Sequence, residues 1–562
     1  MSSFGGLDWV VISLYFAGLV AVVWWSSRRQ DTSADYFLAG RNVGWFAIGG
    51  SLFASNIGSE HIVGLAGQGA STGMAMAHWE LHAWIMVMLA WIFVPFYYRS
   101  GVYTMPEFLE KRFSPRVRWI LSIVSLLAYV FTKVSVTVYA GALVFQTLLP
   151  DTFGTPQNAF WIGAFTTVIL TGIYTAFGGM RAVLYTDTAQ VFVLLIGSAC
   201  ITYFGLQQLG GWVELRAIAS EEATQFALWR PLSDPDFPWL GILIGSPIVG
   251  IWYWCTDQYI VQRTLSARNL TQARRGALWG AFLKVWPVLI FLIPGLIGYA
   301  LHQKGTVVIP SAMVGGEEVL SGDQVFPTLV MSLLPPGVRG LVVGGLMAAL
   351  MSSLSSLFNS SSALFTVDIY EKLRPGRSER HLVTVGRMAT GGIVLLGLLW
   401  IPVMPLISGG GLYQYLQNVQ GYLAPPITAV FLLGLFSKRV NHHGAVWGLS
   451  VGFILGMVKL SIQALFGAGK IEQPVLLAWI GDLNFLYFTG ILLVISIVVM
   501  VGVSLMTAPP SREKIAGLTF STLSSEDRAA NRASWGLVDV VLTAVVLLLV
   551  LGFYLYFSFW LG

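Results

Sequence analysis

The sequence predicts an all-α integral membrane protein with fourteen membrane-spanning helices, and three properties of the chain lead to this prediction. Of its 562 residues, 56% are hydrophobic and only 10% are charged, whereas soluble domains carry about 25% charged residues. The mean hydropathy is +0.72. Apolar runs of about 20 residues, the length that crosses a bilayer, recur along the whole chain.

The apolar runs follow one another closely and leave no space for a soluble domain. They lie at about 7–25, 46–66, 78–98, 119–149, 159–178, 184–205, 239–261, 278–301, 339–366, 387–406, 412–436, 445–466, 484–506 and 535–560. Each is long enough to be read as a membrane helix rather than a strand.

The loops between the runs predict the orientation. Seven loops on one side of the predicted membrane contain 24 of the 32 Lys and Arg residues. Because cytoplasmic loops are enriched in these residues, that side is predicted to face the cell interior, with both termini outside. Because the outer loops are short, we expect the protein to lie in a plasma membrane that is the inner membrane of a bacterium. The net charge of +5 then reflects topology, and no nucleic-acid partner is expected.

Two of the apolar runs are interrupted by glycine and polar residues. One reads SLFASNIGSEHIVGLAG (51–67), and the other reads GILIGSPIVGIWYWCTDQ (241–258), where Gly-Ser-Pro at 245–247 predicts a break. Such segments are tolerated where the backbone lines a protein cavity. The two lie five runs apart, an offset that reverses orientation, and paired broken helices of inverted halves mark transporter binding sites. Glycine and proline are also common in ordinary membrane helices.

Several charged and polar side chains fall at membrane depth, where a charge costs roughly 2.5–3.5 kcal/mol on insertion scales. Glu80 and Lys284 lie within apolar runs, and a mutually neutralising pair would lower this cost while still facing a ligand. The alternative is a purely structural ion pair. Asn56, His61 and Gln417 add neutral donors and acceptors.

Aromatic residues accompany the second interruption, in WYWCTDQ (252–258). Aromatic side chains in membrane proteins are often interfacial or packed in the core. Together with an amide, an imidazole, a carboxylate and an ammonium, however, they suit an uncharged polyhydroxylated ligand. Each sugar hydroxyl requires a donor and an acceptor, and the sugar ring stacks on an aromatic face.

A serine-rich helix, GGLMAALMSSLSSLFNSSSALF (344–365), is the other unusual run. Small residues often indicate close helix packing. A hydroxyl pair such as Ser352 and Ser353 could also join carbonyls freed by an unwound helix to hold a dehydrated Na⁺, since hard cations prefer oxygen ligands. Asp187, in LYTDTAQ, lies near an inner helix end, where it would either cap a helix or line the inner mouth.

In these stretches the chain resembles the sodium–glucose cotransporters of the solute:sodium symporter family. The likeness is carried by SLFASNIGSEHIVGLAG, GVYTMPEFLEKRF, YTDTAQ, WYWCTDQYIVQRTLSA, LMSSLSSLFNSSSALFTVDIY and YLAPPITAVFLLGLFSKRVN. The resemblance implies a LeuT-type core of two inverted five-helix repeats at about 46–205 and 239–436. The helices at about 7–25, 445–466, 484–506 and 535–560 would be peripheral.

The resemblance also implies roles for single residues. Sugar contacts fall on Asn56, His61, Glu80, Lys284 and Gln417, with Trp254 beside them. Tyr253 would close the site toward the inside, and Leu65, Trp79 and Tyr413 would form an outer hydrophobic gate. Na⁺ would be held by the carbonyls of Ala54, Ile57 and Ala349 and the hydroxyls of Ser352 and Ser353, with Asp187 on its inner path.

Lys133, Thr137, His82 and Gln420 depart from the family pattern, which leaves the choice of hexose and any second sodium site open. The expected function is sodium-driven symport of a neutral monosaccharide, such as glucose or galactose, across the lipid bilayer, with no organic cofactor and no prediction of oligomeric state. An inositol, an amino acid or sialic acid is the alternative solute, and Lys133 as an uncompensated cation would favour the last two.

A different class of function, an intramembrane hydrolase, would require Ser352 or Ser353 to be activated by His61. Neither serine lies in a Gly-x-Ser-x-Gly elbow, and both sit in a helix crowded with other serines. The sequence therefore predicts a transporter and not an enzyme.

Overall fold

Apolar helices form almost all of the computed structural model, which describes residues 4–27, 31–150, 152–220, 225–314, 317–403, 412–466 and 475–558. The principal helices, numbered in chain order, are α1 (Gly6–Ser26), α2 (Trp45–Asn56), α3 (Ser59–Ser71), α4 (Gly73–Ser100), α5 (Pro115–Leu148), α6 (Pro156–Leu209), α7 (Trp239–Thr256), α8 (Gln258–Leu265), α9 (Leu270–Gln303), α10 (Val338–Leu373), α11 (Glu379–Trp400), α12 (Leu412–Phe436), α13 (His442–Phe466), α14 (Phe485–Met506) and α15 (Leu537–Tyr556). Within the described residues, twelve helices are long and apolar enough to cross a membrane.

Shorter elements connect these helices. They are the α-helices Ser33–Leu38, Met105–Arg112, Trp212–Ala219, Gly322–Leu333, Val475–Asp482, Arg512–Ile515 and Ser525–Ala533, and the 3₁₀ turns Ala39–Arg41, Ile401–Val403 and Phe520–Thr522. Two short antiparallel strands, Ser311–Val314 and Glu317–Leu320, pair with Ser311 opposite Leu320. This hairpin was not predicted from the sequence.

The predicted interruption of the 51–67 run is confirmed. Helix α2 ends at Asn56, Ile57 adopts an extended conformation (φ −90°, ψ 92°), and Gly58 starts α3 from another extended residue (φ −92°, ψ 176°). The last carbonyl groups of a helix have no partner within that helix. The break therefore leaves peptide oxygens of α2 available in the interior of the protein.

The second interruption was predicted at the wrong residues. Helix α7 continues through Gly245, Ser246 and Pro247, and the backbone leaves the helical conformation only at Asp257 (φ −77°, ψ 129°). A single proline removes one backbone hydrogen bond, which membrane helices tolerate. A break also needs a cap for the helix that follows, and Asp257 supplies one by accepting a hydrogen bond from the N–H of Tyr259.

Two predicted runs, 159–178 and 184–205, join into the 54-residue helix α6. A straight helix of this length would measure about 80 Å, far more than the hydrocarbon thickness of about 30 Å. The chain turns at Gly179 (φ +55°, ψ −162°), where a Cβ atom would lie 2.7 Å from the carbonyl oxygen of Tyr36. Only glycine fits this left-handed, closely packed position without strain.

Burial separates a central group of helices from an outer one. In the most apolar 18-residue stretch of α10, 89% of the residues are buried, and in that of α9 83% are buried. In α1 and in α15 the same share is only 17%. In a membrane protein such exposed apolar faces contact lipid. The broken helices α2 and α3 pack against α9 and α10 in the buried centre, and this places the free peptide oxygens far from lipid.

A buried acid fixes α1 to the start of α10. Asp8 accepts hydrogen bonds from the backbone N–H groups of Gly337 (2.6 Å) and Gly340 (3.0 Å), which open α10. A Cβ atom at Gly340 would lie 2.5 Å from the backbone oxygen of Asp8, so glycine permits the close approach. Asp8 thus caps α10 from a different helix.

We expect Asp8→Ala to lower the free energy of unfolding by about 1–2 kcal/mol, the usual cost of removing a helix cap. Thermal unfolding of the purified protein in detergent measures the change. Val10→Ala, which truncates an exposed side chain two residues away, is the control and should leave the unfolding midpoint nearly unchanged. Equal midpoints for Asp8→Ala and Val10→Ala would show that the cap is unimportant.

Candidate functional site

A polar cavity lies beside the break between α2 and α3, enclosed also by α4, α7, α9 and α12. Its volume is about 30 Å³, room for a few water molecules at most, so a solute as large as a hexose would require the cavity to widen. The lining residues are Asn56, His61, Trp79, Glu80, His82, Val249, Gly250, Tyr253, Trp254, Lys284, Gln417 and Gln420. The structure thus brings together all six residues predicted to contact a solute and two of the predicted gate residues.

Glu80 and Lys284 form a buried ion pair in the wall of this cavity. The Nζ atom of Lys284 lies 2.5 Å from Oε2 of Glu80, and the same ammonium is 5.7 Å from the centre of the Trp254 ring. The two charges neutralise each other. Among the described residues the second oxygen of Glu80, Oε1, has no hydrogen-bond partner, so the pair keeps an acceptor available.

Other polar atoms in the cavity wall also lack partners within the described part of the chain. They are Oδ1 of Asn56, Oε1 of Gln417 and Nε1 of Trp79. Leaving a buried polar group unsatisfied costs about 1–3 kcal/mol, and such groups are rare in native interiors. A ligand with several hydroxyl groups would satisfy these acceptors and this donor at once.

Tyr253 lines the cavity, and its hydroxyl accepts a hydrogen bond from the side-chain amide of Asn56 (3.2 Å). Trp79 also lines the cavity; it stacks on Phe485 and meets Phe237 edge-on, with ring centres 6.4 Å and 5.9 Å apart. Leu65 is fully buried in α3. The side chain of Tyr413 lies outside the described residues.

The sequence singled out His82 and Gln420 only as departures, and it did not indicate Val249 or Gly250 at all. His82 is held by a hydrogen bond to the hydroxyl of Ser246 (2.7 Å). A Cβ atom at Gly250 would lie 2.2 Å from Ile85, so glycine allows α7 to approach α4. The spacing of polar residues along the chain does not predict these contacts, because they depend on how two helices pack.

The carbonyl of Ser55, in the last turn of α2, faces the serine-rich helix α10. The hydroxyl of Ser353 donates to the carbonyl of Ser55 (3.2 Å), in the stretch that also contains Ala54 and Ile57. Ala54, Ile57, Ala349, Ser352 and Ser353 are all buried. The described residues contain no group of three or more His, Cys, Asp and Glu side chains placed to bind a metal. Carbonyl and hydroxyl oxygens are the ligands that hard cations prefer.

Asp187 does not cap a helix, contrary to one of the two expectations. It lies inside α6 and accepts hydrogen bonds from Ser51 (2.6 Å), Ser55 (3.0 Å) and Ser352 (2.6 Å). Nη2 of Arg263 lies 3.8 Å away. Sequence spacing could not reveal this arrangement, because its partners come from three other helices.

Lys133 is not an uncompensated cation, so that part of the argument for an acidic solute was wrong. Its Nζ atom lies 2.5 Å from Oδ2 of Asp257, a residue 124 positions away in the chain. Lys133 is not among the residues that line the cavity, but its Nζ atom lies 4.8 Å from the ring centre of Tyr253, which is one of them.

Comparisons with known proteins show the family and the fold to which this chain is similar. The model of the sodium:solute symporter family matches residues 36–452. The chain is 41% identical to sodium/glucose cotransporter 1 of Oryctolagus cuniculus, over 92% of this chain and 82% of that protein. It is 40% identical to sodium/myo-inositol cotransporter 2 of Homo sapiens, over 92% and 79%. The solved outward-open structure of a Na⁺-coupled sialic acid symporter superposes with a TM-score of 0.76, covering 91% of this chain and 99% of that one, at 24% identity.

Proposed function

The chain belongs to the sodium:solute symporter family, and we propose that it imports a neutral monosaccharide, such as glucose or galactose, together with Na⁺. Membership makes it a multi-pass membrane transporter and not an enzyme, which removes the hydrolase alternative. In this proposal the cavity, the broken helix and the serine pair each have a separate role in binding the solute or the ion.

The observation that best supports a neutral solute is the charge balance of the cavity. The described lining contains one acid and one lysine, Glu80 and Lys284, and these are paired. A carboxylate solute would need an unpaired cation, because a buried charge without a partner is expensive. A sugar needs only donors, acceptors and an aromatic face, which Asn56, Gln417 and Trp254 supply.

A cyclic polyol is the second candidate, favoured by the 40% identity to the human sodium/myo-inositol cotransporter 2. Inositol and hexoses present similar rings of hydroxyl groups and no charge. The same unpartnered acceptors would serve both.

The sodium ion would lie between the end of α2 and α10. The carbonyls of Ala54, Ile57 and Ala349 and the hydroxyls of Ser352 and Ser353 would be its ligands, and Asp187, bonded to Ser352, would attract the ion toward the inside. Ion binding would order the broken helix, and with it Asn56 and His61 in the solute cavity. This is a route by which the ion raises the affinity for the solute.

The proposed cycle is alternating access. Solute binding would close the gate of Leu65, Trp79 and Tyr413, and inward release would require Tyr253 to move. One Na⁺ crossing 100 mV releases about 2.3 kcal/mol. At about 1.4 kcal/mol for each tenfold ratio, the voltage alone would support an accumulation of about 40-fold.

The proposal includes fourteen crossings in two inverted repeats at about 46–205 and 239–436. Helices α2 and α3, with 12 and 13 residues, are each too short to span about 30 Å and would cross together. Helix α6 would cross twice, turning at Gly179. The Lys- and Arg-rich loops would face the interior of a bacterium, with both termini outside.

We expect purified protein in liposomes to take up labelled glucose when an inward Na⁺ gradient is applied, at least tenfold faster than with K⁺. Unlabelled glucose, galactose or myo-inositol should compete, whereas sialic acid and amino acids should not. Equal uptake in Na⁺ and K⁺ would refute sodium coupling. Competition by sialic acid or by amino acids would refute the preference for a neutral solute.

A further inference from the structure

A buried ion pair joins α5 to the second broken helix. Lys133 lies in the π-helical turn Tyr129–Val134 of α5, a kind of turn that is frequent at functional sites. Its partner Asp257 is the residue at which the chain leaves α7 and begins α8. Both side chains are less than one-tenth exposed. The pair therefore attaches the break between α7 and α8 to helix α5, which is continuous.

Aromatic rings surround the Lys133 ammonium. Its Nζ atom lies 4.8–5.0 Å from the ring centres of Tyr129, Trp252, Tyr253 and Tyr259, distances at which a ring attracts a cation. The hydroxyl of Tyr129 also donates to Oδ1 of Asp257. Since Tyr253 lines the solute cavity, any movement of Tyr253 disturbs the surroundings of Lys133.

Tyr259 connects this ion pair to the proposed sodium site. Its backbone N–H lies 3.0 Å from the Tyr129 hydroxyl and 3.3 Å from Oδ1 of Asp257. Its own hydroxyl donates to the carbonyl of Ser55, the same carbonyl that accepts from Ser353. A single residue thus joins the stretch of α2 that is proposed to bind the ion to the cap of α8.

A buried arginine of α8 and a buried acid of α6 extend the contacts of Tyr259. Arg263 is fully buried and donates to the carbonyl of Tyr259 and to the hydroxyl of Ser356. Asp187 is buried beside it. Both groups bond to the hydroxyl of Ser51 in α2, so α8 is joined to α2 at a second point.

We propose that the Lys133–Asp257 ion pair holds the inner side of the cavity closed, and that sodium controls it through Ser55 and Tyr259. The inference rests on the proposed function and adds a control of the step that releases the solute. Lys133 and Asp257 act here as positioning residues for Tyr253. With Na⁺ bound, the Ser55 carbonyl and Tyr259 are fixed and α8 stays capped. When Na⁺ leaves, the pair is free to separate.

Hydrogen–deuterium exchange of the full-length protein tests this control without any solute. In wild type, replacing KCl by NaCl should slow exchange of the amides at 259–261 at least fivefold. Tyr259→Phe removes only the hydroxyl, and Lys133→Met with Asp257→Asn removes both charges but keeps an oxygen to cap α8. In both variants the sodium effect should fall below twofold. The double variant is used because Lys133→Met alone leaves a buried acid unpaired, which can prevent folding.

A transport assay provides a second test of the proposed role of the ion pair. In liposomes, the double variant should pass labelled sugar down its gradient without sodium at least fivefold faster than wild type, while accumulation against a gradient is lost. A merely structural defect would lower both rates. Lys459→Met is the matched control, because Lys459 is also a buried membrane lysine, bonded to the carbonyls of Ile480 and Gly481. It should change neither rate.

The two proposals can fail separately. Sodium protection of 259–261 that persists in both variants, or is missing in wild type, would overturn the role of the ion pair even if sodium-driven sugar uptake is normal. Sodium protection that behaves as expected, in a protein that takes up none of the sugars tested, would overturn the proposed solute and leave the role of the ion pair supported.

Discussion

Replacing Ser353 by alanine is expected to abolish sodium-driven uptake while leaving folded protein in the membrane. The hydroxyl of Ser353 is a proposed ligand of Na⁺ and bonds to the Ser55 carbonyl in α2 (3.2 Å). An interaction with a charged group contributes about 1.5–3 kcal/mol, so its loss should weaken Na⁺ affinity about 10- to 100-fold. Uptake measured against Na⁺ concentration would show this shift.

A second serine of the same helix provides the control for that variant. Ser362 lies in α10 and donates to the carbonyl of Gly386 (2.7 Å), away from the break in α2. Ser362→Ala should retain most of the wild-type uptake. Full uptake by Ser353→Ala with an unchanged Na⁺ requirement would mean that the ion binds elsewhere.

Replacing Lys284 by alanine should reduce sugar uptake about 100-fold while changing the apparent Na⁺ affinity less than about threefold. The substitution removes a donor to the solute and leaves a negative charge unpaired in the cavity. Because an unpaired buried charge also lowers stability by about 3–5 kcal/mol, uptake is compared per amount of folded protein. Gln417→Glu should act in the same direction, because it adds a second negative charge to the cavity. Sugar binding and Na⁺ dependence, measured separately, would distinguish the two effects.

A double variant separates a solute contact from a purely structural ion pair. Glu80→Gln with Lys284→Met removes both charges at once, and neutral replacement of a buried pair is often well tolerated for stability. If the pair contacts the sugar, this protein should fold but still fail to take up sugar. Recovery of uptake in the double variant, or equal loss of sugar and Na⁺ binding in Lys284→Ala, would contradict the assignment.

The first broken helix could be predicted because its side chains are so costly in a membrane. Asn56 and His61 have no reason to occupy an apolar run unless a cavity or a partner is present. The neutralisation of Glu80 by Lys284 followed from the same cost, since each lies alone in an apolar stretch. Both features follow from which residue types lie within an apolar run, and this can be read directly from the sequence.

The second break and the inner contacts could not be predicted in the same way. Pro247 was the more conspicuous signal, but the break needs the cap supplied by Asp257, and Asp257 is in turn held by Lys133 from a helix far away in the chain. The hydroxyl partners of Asp187 likewise come from separate helices. Such contacts depend on tertiary packing, which no local pattern records.

The most direct test of the central claim is an experimental structure determined with Na⁺ and glucose or galactose present, compared with one determined in K⁺. The account predicts an ion, present only with Na⁺, in contact with the carbonyls of Ala54, Ile57 and Ala349 and the hydroxyls of Ser352 and Ser353. It also predicts the sugar between Asn56, Gln417 and the Glu80–Lys284 pair. A helix unbroken through Ile57 and Gly58, or an ion bound at a distant site, would contradict it.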